Sequence, residues 1–209
     1  MVYDPDLFET TLWSAPAGSV MKGFNKGLET IYSNSSTPIN SATAVHRLRL
    51  VTDSLPVVGA DDDSEALDRA VVGIVLVQHK RQTDVLHAFG HGFSRRYPVQ
   101  QGVIHAIVPP HVLAYLFEAI DRSRELLAEG LGIDPRNHNR SELADEIVWS
   151  VTSVRDAFDL PTRFQDVPEI DRGDFPELAA FLEDALMRRA LDGFDPNATD
   201  IETVLERAW

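Results

Sequence analysis

His87-Ala88-Phe89-Gly90-His91-Gly92-Phe93-Ser94-Arg95-Arg96-Tyr97-Pro98 and, after Val99-Gln100, Gln101-Gly102-Val103-Ile104-His105-Ala106-Ile107-Val108-Pro109-Pro110-His111-Val112-Leu113-Ala114-Tyr115 form the stretch on which the reading of this chain turns. Its first half predicts a helix over roughly Thr83 to Tyr97, ended by Pro98 because a proline disfavours helical backbone at the residue before it. Its second half predicts a helix from Gln101 to Ile120. Pro109-Pro110 should break or kink that helix, since each lacks an N–H and crowds the preceding turn. His87 and His91 stand four apart and so share a helix face. That spacing suits two ligands of one metal, or a ligand beside an acid/base group. Gly90 and Gly92 leave room for close approach of a ligand or a neighbouring helix.

Outward from this stretch the chain reads as helix almost throughout. Gly18 to Ser33 carries Val20, Met21, Phe24, Leu28 and Ile31 at helical spacing. Asn34 to Pro38 is a turn. Ile39 to Val58 follows, with Ala42, Val45, Leu48 and Val51 on one face. Asp61-Asp62-Asp63-Ser64 opens a third helix, acidic residues suiting its positive N-terminus, and Leu67, Val71 and Ile74 continue it to about Gln78. Further helices are predicted over Asp121 to Gly130, Ser141 to Phe158, Asp174 to Ala190 and Asp200 to Trp209. Pro135 to Arg140 is a polar connector and Leu160-Pro161-Thr162 a turn. Only Met1 to Leu7 reads as extended. No run alternates like a strand, so the fold class is all-α, a helical bundle. No Gly-rich turn follows a strand, so no dinucleotide or phosphate-loop fingerprint is present.

Composition narrows the function. The 209 residues hold 33 Asp+Glu against 19 Lys+Arg, a net charge of -14. Such a surface argues against nucleic acid and against anionic membranes as partners. The longest uncharged apolar run, Ala70 to Val77, is too short to span a bilayer. The N-terminus lacks a basic segment followed by an apolar one, so a cytoplasmic location is expected. Without cysteine there are no disulfides, zinc ribbons or thiol nucleophiles. Only Lys22, Lys26 and Lys80 are lysines, which leaves 16 arginines. Abundant surface acid with scarce lysine is expected of a salt-adapted, halophilic protein.

The quoted stretch resembles the signature of the iron-containing alcohol dehydrogenase superfamily, in particular its maleylacetate reductase branch. There an H-x-x-x-H helix is followed by a short turn and an apolar LPHVL-like segment, here Val108-Pro109-Pro110-His111-Val112-Leu113. Upstream, Asp4-Pro5-Asp6-Leu7 looks like the DP-x-L element that leaves the family's nucleotide domain. Ser19 to Ser33 looks like its GMDALAHAxEaLYS helix, and Thr37-Pro38-Ile39 like the following NPI turn. The resemblance implies an enzyme of two domains, an α/β domain binding NAD(P) and a dehydroquinate synthase-like helical domain holding the metal. This chain corresponds to the helical one. Residues 1–14 would be a linker from the nucleotide-binding domain, and 15–209 the all-helical domain. NAD(P) is then expected from a partner domain and not from this chain alone.

In the family, one Asp and three His hold the metal. By the resemblance these ligands fall on Lys22, Lys26, His87 and Gln101, and the catalytic-site histidine on His91. A protonated ammonium has three donors and no lone pair, so two lysines argue against iron or zinc here. Two of the chain's three lysines occupy ligand positions. The expectation is that Lys22 and Lys26 replace the metal's charge, binding a substrate carboxylate or polarising a carbonyl. His91, or His105 one turn after Gln101, would donate the proton. Gln101 and Arg95 are candidate substrate contacts; Arg95-Arg96 lie one turn past His91, so one of them could face a carboxylate.

Elsewhere, His111 reads as a packing residue, His46 and His138 as surface, and His79-Lys80-Arg81 as a solvated connector. Asp61-Asp62-Asp63 lacks the spacing and turn glycine of a calcium loop. Trp13, Trp149 and Trp209 read as packing or interface residues. Two functions stay open. One is the helical half of a metal-independent oxidoreductase, active on a small carbonyl or carboxylate substrate with a nucleotide-binding half-protein. The other is a non-catalytic binding or scaffolding subunit, or an inactive derivative, which should expose an apolar patch near the first helix, covered by a partner or a homo-oligomer.

Overall fold

The structure is a computed structural model and describes residues 17–58, 64–79, 84–120, 123–188 and 191–209. The expectations for Met1 to Leu7, the 1–14 linker, Trp13, Asp61-Asp62-Asp63 and Lys80-Arg81 lie outside the described residues. Nine α-helices and no strands make up the described residues: α1 Ala17–Tyr32, α2 Pro38–Val58, α3 Ser64–His79, α4 Val85–Arg96, α5 Gln101–Ala119, α6 Arg124–Gly130, α7 Arg140–Asp156, α8 Phe175–Met187 and α9 Ala198–Arg207. The all-α bundle is the observed fold. Short 3-10 turns at Pro135–Asn137, Phe164–Asp166 and Arg172–Asp174 punctuate the connectors.

α1 and α5 form the centre. α1 packs on α2, α3, α4, α5 and α6, and α5 on α1, α4, α7 and α9. All five apolar positions expected to define α1 are buried. A Cβ on Gly18 would lie 2.6 Å from the Cα of Gly102, so both must be glycine for the two backbones to touch. Across the same helix pair Lys22 meets Gln101 and Asn25 meets His105. α4 lies between α5 and α8 and brings His87 and His91 to the same crossing.

Pro109 and Pro110 lie within α5, which runs on to Ala119, so of the expected break or kink the break is not found. A proline at 109 leaves the carbonyl of His105 without its helical donor. The Asn25 amide donates to that oxygen at 2.8 Å, so a neighbouring helix makes good the loss. α5 is also long and apolar enough to cross a membrane by length and composition, unlike the expected Ala70 to Val77, yet 61% of it is buried inside the bundle.

Other differences are local. The buried stripe of α2 is Ala44, Leu48, Val51 and Leu55, with Ala42 exposed, a rotation of the predicted face. The segment predicted as helix from Asp121 begins at Arg124, because Ser123 adopts φ 56° and interrupts helical backbone. Asn139 and Asn197 close capping boxes with Glu142 and Asp200, so α7 and α9 each begin one or two residues early. α8 begins after Asp174 and ends at Met187. His46 is exposed, His111 and His138 are half-buried. Trp149 is 64% exposed, while Trp209 stacks edge-on against Phe175. Among the described residues, no large hydrophobic of α1 is exposed, while Ile39, in the first turn of the next helix, is 80% exposed.

Candidate active site

The site is assembled where α1, α4 and α5 meet. Its floor holds Glu29, His87, Asn25 and His105. Glu29 is fully buried, and one carboxylate oxygen accepts the backbone N–H groups of Asp84 and His87, each at 3.0 Å. It thereby caps the N-terminus of α4, whose own N-cap Asp84 makes no side-chain cap bond. The other oxygen accepts Nδ1–H of His87. That bond leaves the lone pair of a neutral His87 on Nε2, the arrangement by which a carboxylate orients a metal-binding imidazole. Nε2 itself is buried and has no hydrogen-bond partner among the described residues.

His105 lies beside it, the ring centroids 4.5 Å apart. Asn25 Nδ2 is 2.8 Å from the His105 carbonyl and 2.9 Å from its Nδ1. One amide hydrogen goes to each, so Nδ1 accepts and the ring proton resides on Nε2. Burial holds His105 neutral, with a pKa well below the usual histidine value; His87, Lys22, His91 and Lys26 add to the effect. Gly90 is required here, since a Cβ at that position would meet His105 Nε2 at 2.7 Å. The room expected at Gly90 is thus filled by a side chain of α5.

Above the floor, Lys22 Nζ donates to Gln101 Oε1 at 2.6 Å. Gln101 Nε2 in turn lies 3.1 Å from His91 Nδ1. Lysine has donors only, so it fixes which end of the Gln101 amide faces it. The amide nitrogen must then donate to His91, leaving the His91 proton on Nε2. Lys22 and Gln101 are half-buried and His91 is exposed. Lys26, one turn along α1, is also half-buried, and its charge reaches His105. Of the candidate residues, Lys22, Lys26, His87, His91, Gln101 and His105 are brought together. Arg95 lies one turn from His91, over the ring of Phe181 with 5.7 Å between guanidinium carbon and ring centroid.

These residues do not fit a metal. Nε2 of both His87 and His105 lacks a hydrogen-bond partner among the described residues, but by the tautomers above only that of His87 offers a lone pair. Lys22 and Gln101, which the resemblance aligns with two further ligands, are bonded to each other, and an ammonium has no lone pair to offer. Among the described residues no group of three or more His, Asp and Glu could hold a metal ion.

Two functional residues escaped the sequence reading, Asn25 and Glu29. α1 is buried nearly all round, so helical periodicity gives no hydrophilic face against which a buried acid stands out. The available signal for Glu29 was the acidic position within the quoted GMDALAHAxEaLYS pattern.

Comparison with known proteins agrees with this architecture. A family profile described as Fe-containing alcohol dehydrogenase family, C-terminal, matches residues 17–209. Maleylacetate reductase of Sphingobium indicum is 29% identical over 139 residues, covering 63% of this chain and 39% of that protein. NAD-dependent methanol dehydrogenase of Bacillus methanolicus is 19% identical over 170 residues, covering 79% and 45%. The solved alcohol dehydrogenase from Oenococcus oeni superposes with a TM-score of 0.81 at 19% identity, covering 92% of this chain and 51% of that one. Maleylacetate reductase from Agrobacterium tumefaciens superposes with a TM-score of 0.74 at 22% identity, with the same coverage. The superpositions show the fold. The chain spans about two fifths to half the length of the relatives it matches.

Proposed function

Since the chain belongs to the Fe-containing alcohol dehydrogenase family through that family's C-terminal domain, we propose that it forms the helical half of an NAD(P)-dependent oxidoreductase that reduces a small carbonyl substrate without a metal. The observation that carries this reading is the 2.6 Å bond between Lys22 and Gln101, which joins two family ligand positions by a hydrogen bond in place of a shared cation. The described residues contain no strand and no Gly-rich phosphate cradle, so they do not fit NAD(P); a nucleotide-binding half would hold it. Bound there, the reduced nicotinamide supplies hydride.

This chain's part is to hold the carbonyl oxygen and protonate it. Lys22 spends one N–H on Gln101, which leaves two for an oxygen gaining negative charge. His91 presents Nε2–H to the same charge. The tautomers argue against either histidine as the acid, because Gln101 and Asn25 hold His91 and His105 as neutral rings whose loss of a proton would leave an imidazolate. Lys22, an ammonium, gives the proton to the alkoxide and regains one from solvent. His87 and His105 act as positioning residues below, and Lys26 adds a second positive charge. The acidic surface fits a salt-rich cytoplasm and a protein partner or second copy, without nucleic acid or membrane.

The test is co-expression with a nucleotide-binding half of the family and assay of NAD(P)H oxidation against small carbonyl acids. Turnover that survives chelation and falls about a hundredfold or more in K22A/K26A is expected. Activity that appears only with added iron or zinc, or that is untouched by K22A/K26A, would overturn the reading.

A further inference from the structure

Arg95 and Arg96 are adjacent in sequence and differently employed. Arg96 is neutralised by Asp174 at 2.9 Å and Glu177 at 3.4 Å. Among the described residues no ion pair is found for Arg95; its guanidinium rests over Phe181 of α8. Beside it, between α4 and α8, is a cavity of about 420 Å³ lined by Ala88, His91, Arg95, Phe181, Ala185 and Arg188. Three of those residues are basic and none is acidic, in a chain of net charge -14. Arg188 pairs with Asp184 at 2.6 Å, but both side chains are 64% exposed, so water screens the pair and a ligand can compete for the guanidinium.

We propose that this cavity is a binding subsite for the oxyanion tail of a small organic molecule. A planar guanidinium held against an aromatic face keeps its donor edge aligned for two parallel hydrogen bonds to a carboxylate or phosphate. Arg188 closes the opposite wall. Ala88, Ala185 and Phe181 give the body of the ligand an apolar surface. His91 belongs both to this cavity and to the chain from Lys22 through Gln101. Residues four apart on a helix are separated by about 6 Å along its axis. A molecule whose oxyanion lies at Arg95 can therefore place a polar group that far away at His91. The subsite sets specificity for the reaction proposed above and, as a substrate-tail site, rests on that reading; as an oxyanion site it is tested without turnover.

The full chain is titrated calorimetrically at low salt with butyrate and, separately, with inorganic phosphate. Binding of one of them is expected, weakened about tenfold by R95Q and less by R188Q, with R69Q, on the surface of α3 outside the cavity, within about twofold of the parent; K22Q is titrated alongside. Preference for butyrate assigns a carboxylate tail and preference for phosphate a phosphate monoester. Absence of binding by the parent chain overturns the subsite, as does binding that R95Q and R188Q leave unchanged. Loss in K22Q alone moves the anion to Lys22, which overturns the subsite and leaves the functional reading standing. Loss in R95Q alongside a complex that never turns over does the reverse. Both arginines are surface residues, and circular dichroism of each variant establishes that the loss is not one of folding.

Discussion

Along the crossing of α1, α4 and α5, the pairs Glu29–His87 and Asn25–His105 are sealed from water, with no residue more than 2% exposed. One turn away, Lys22 and Gln101 are half open and His91 is exposed. The inner pairs tie helices together through groups that water cannot replace. The outer chain is wired by two hydrogen bonds that water could substitute. The pattern of resemblance follows that difference. The chain matches the family's ligand set at His87, which the carboxylate capping α4 also holds. By the resemblance it departs from the set at Lys22, Lys26 and Gln101, all of them only half-buried.

The strongest way to break this contrast is Glu29→Ala. It would strand two buried backbone N–H groups and His87 Nδ1–H together. A stability loss of about 3–5 kcal/mol is expected by denaturant melts. A loss below about 1 kcal/mol would mean that water reaches the floor and that inner and outer clusters are alike.

Asn25→Ala should cost about 1–3 kcal/mol, since it strips donors from the His105 carbonyl and ring. Here the effect can be sharpened by a cycle. Pro109→Ala restores the helical N–H to that same carbonyl. N25A should therefore cost about 1 kcal/mol less in the P109A background, with P109A alone close to neutral. Additive losses would show that Asn25 does not stand in for the missing helical bond.

This pair of residues also shows where sequence reading reached its limit. The helices, the core face of α1 and the meeting of His87, His91, Gln101 and the lysines were legible, because helical spacing and motif order report them. Pro109-Pro110 was read by the local rule, under which a proline breaks or kinks a helix. The helix runs on unbroken, and Asn25, 80 residues from His105 in sequence, supplies the missing donor. Glu29 was missed for a related reason: its partners are the backbone at the start of another helix and the His87 side chain, which helical spacing does not report, although the motif marks an acid there. The Arg95–Arg96 pair was legible as a candidate, but only the placement of Asp174 and Glu177 distinguishes the two.

Acid should expose the inner cluster next. His105 is held neutral in the fold, mainly by burial, while the unfolded chain accepts its proton near pH 6.5. Below that pH the unfolded state binds the extra proton, so stability is full above about 6.5 and declines as pH falls. His111 behaves alike, its pKa lowered to about 4 by burial and then by Arg155, Arg163 and Arg207. Its share is lost between about 6.5 and about 4 and then levels off. Thermal midpoints measured from pH 8 to 4 should fall less steeply in H111Q, a smaller change than those above. An unchanged slope would place His111 in water.

The smallest stability effect is expected in the outer cluster. Lys22→Met removes a half-exposed hydrogen bond, and a change of less than about 1 kcal/mol should follow. The same variant should nevertheless alter the site. With Lys22 present, the Gln101 amide cannot turn round, because its nitrogen would then face an ammonium. His91 is thereby restricted to the form protonated on Nε2. Methionine lifts that restriction, the amide can present either end, and nitrogen NMR should find both His91 tautomers. A single Nε2–H form in K22M would mean that Lys22 does not set the orientation of Gln101. A large loss of stability would mean that the outer cluster is as much a part of the framework as Glu29. Little destabilisation together with mixed tautomers would separate the two layers: the inner one fixes the fold, and a single ammonium on the outer one sets which hydrogens the site presents.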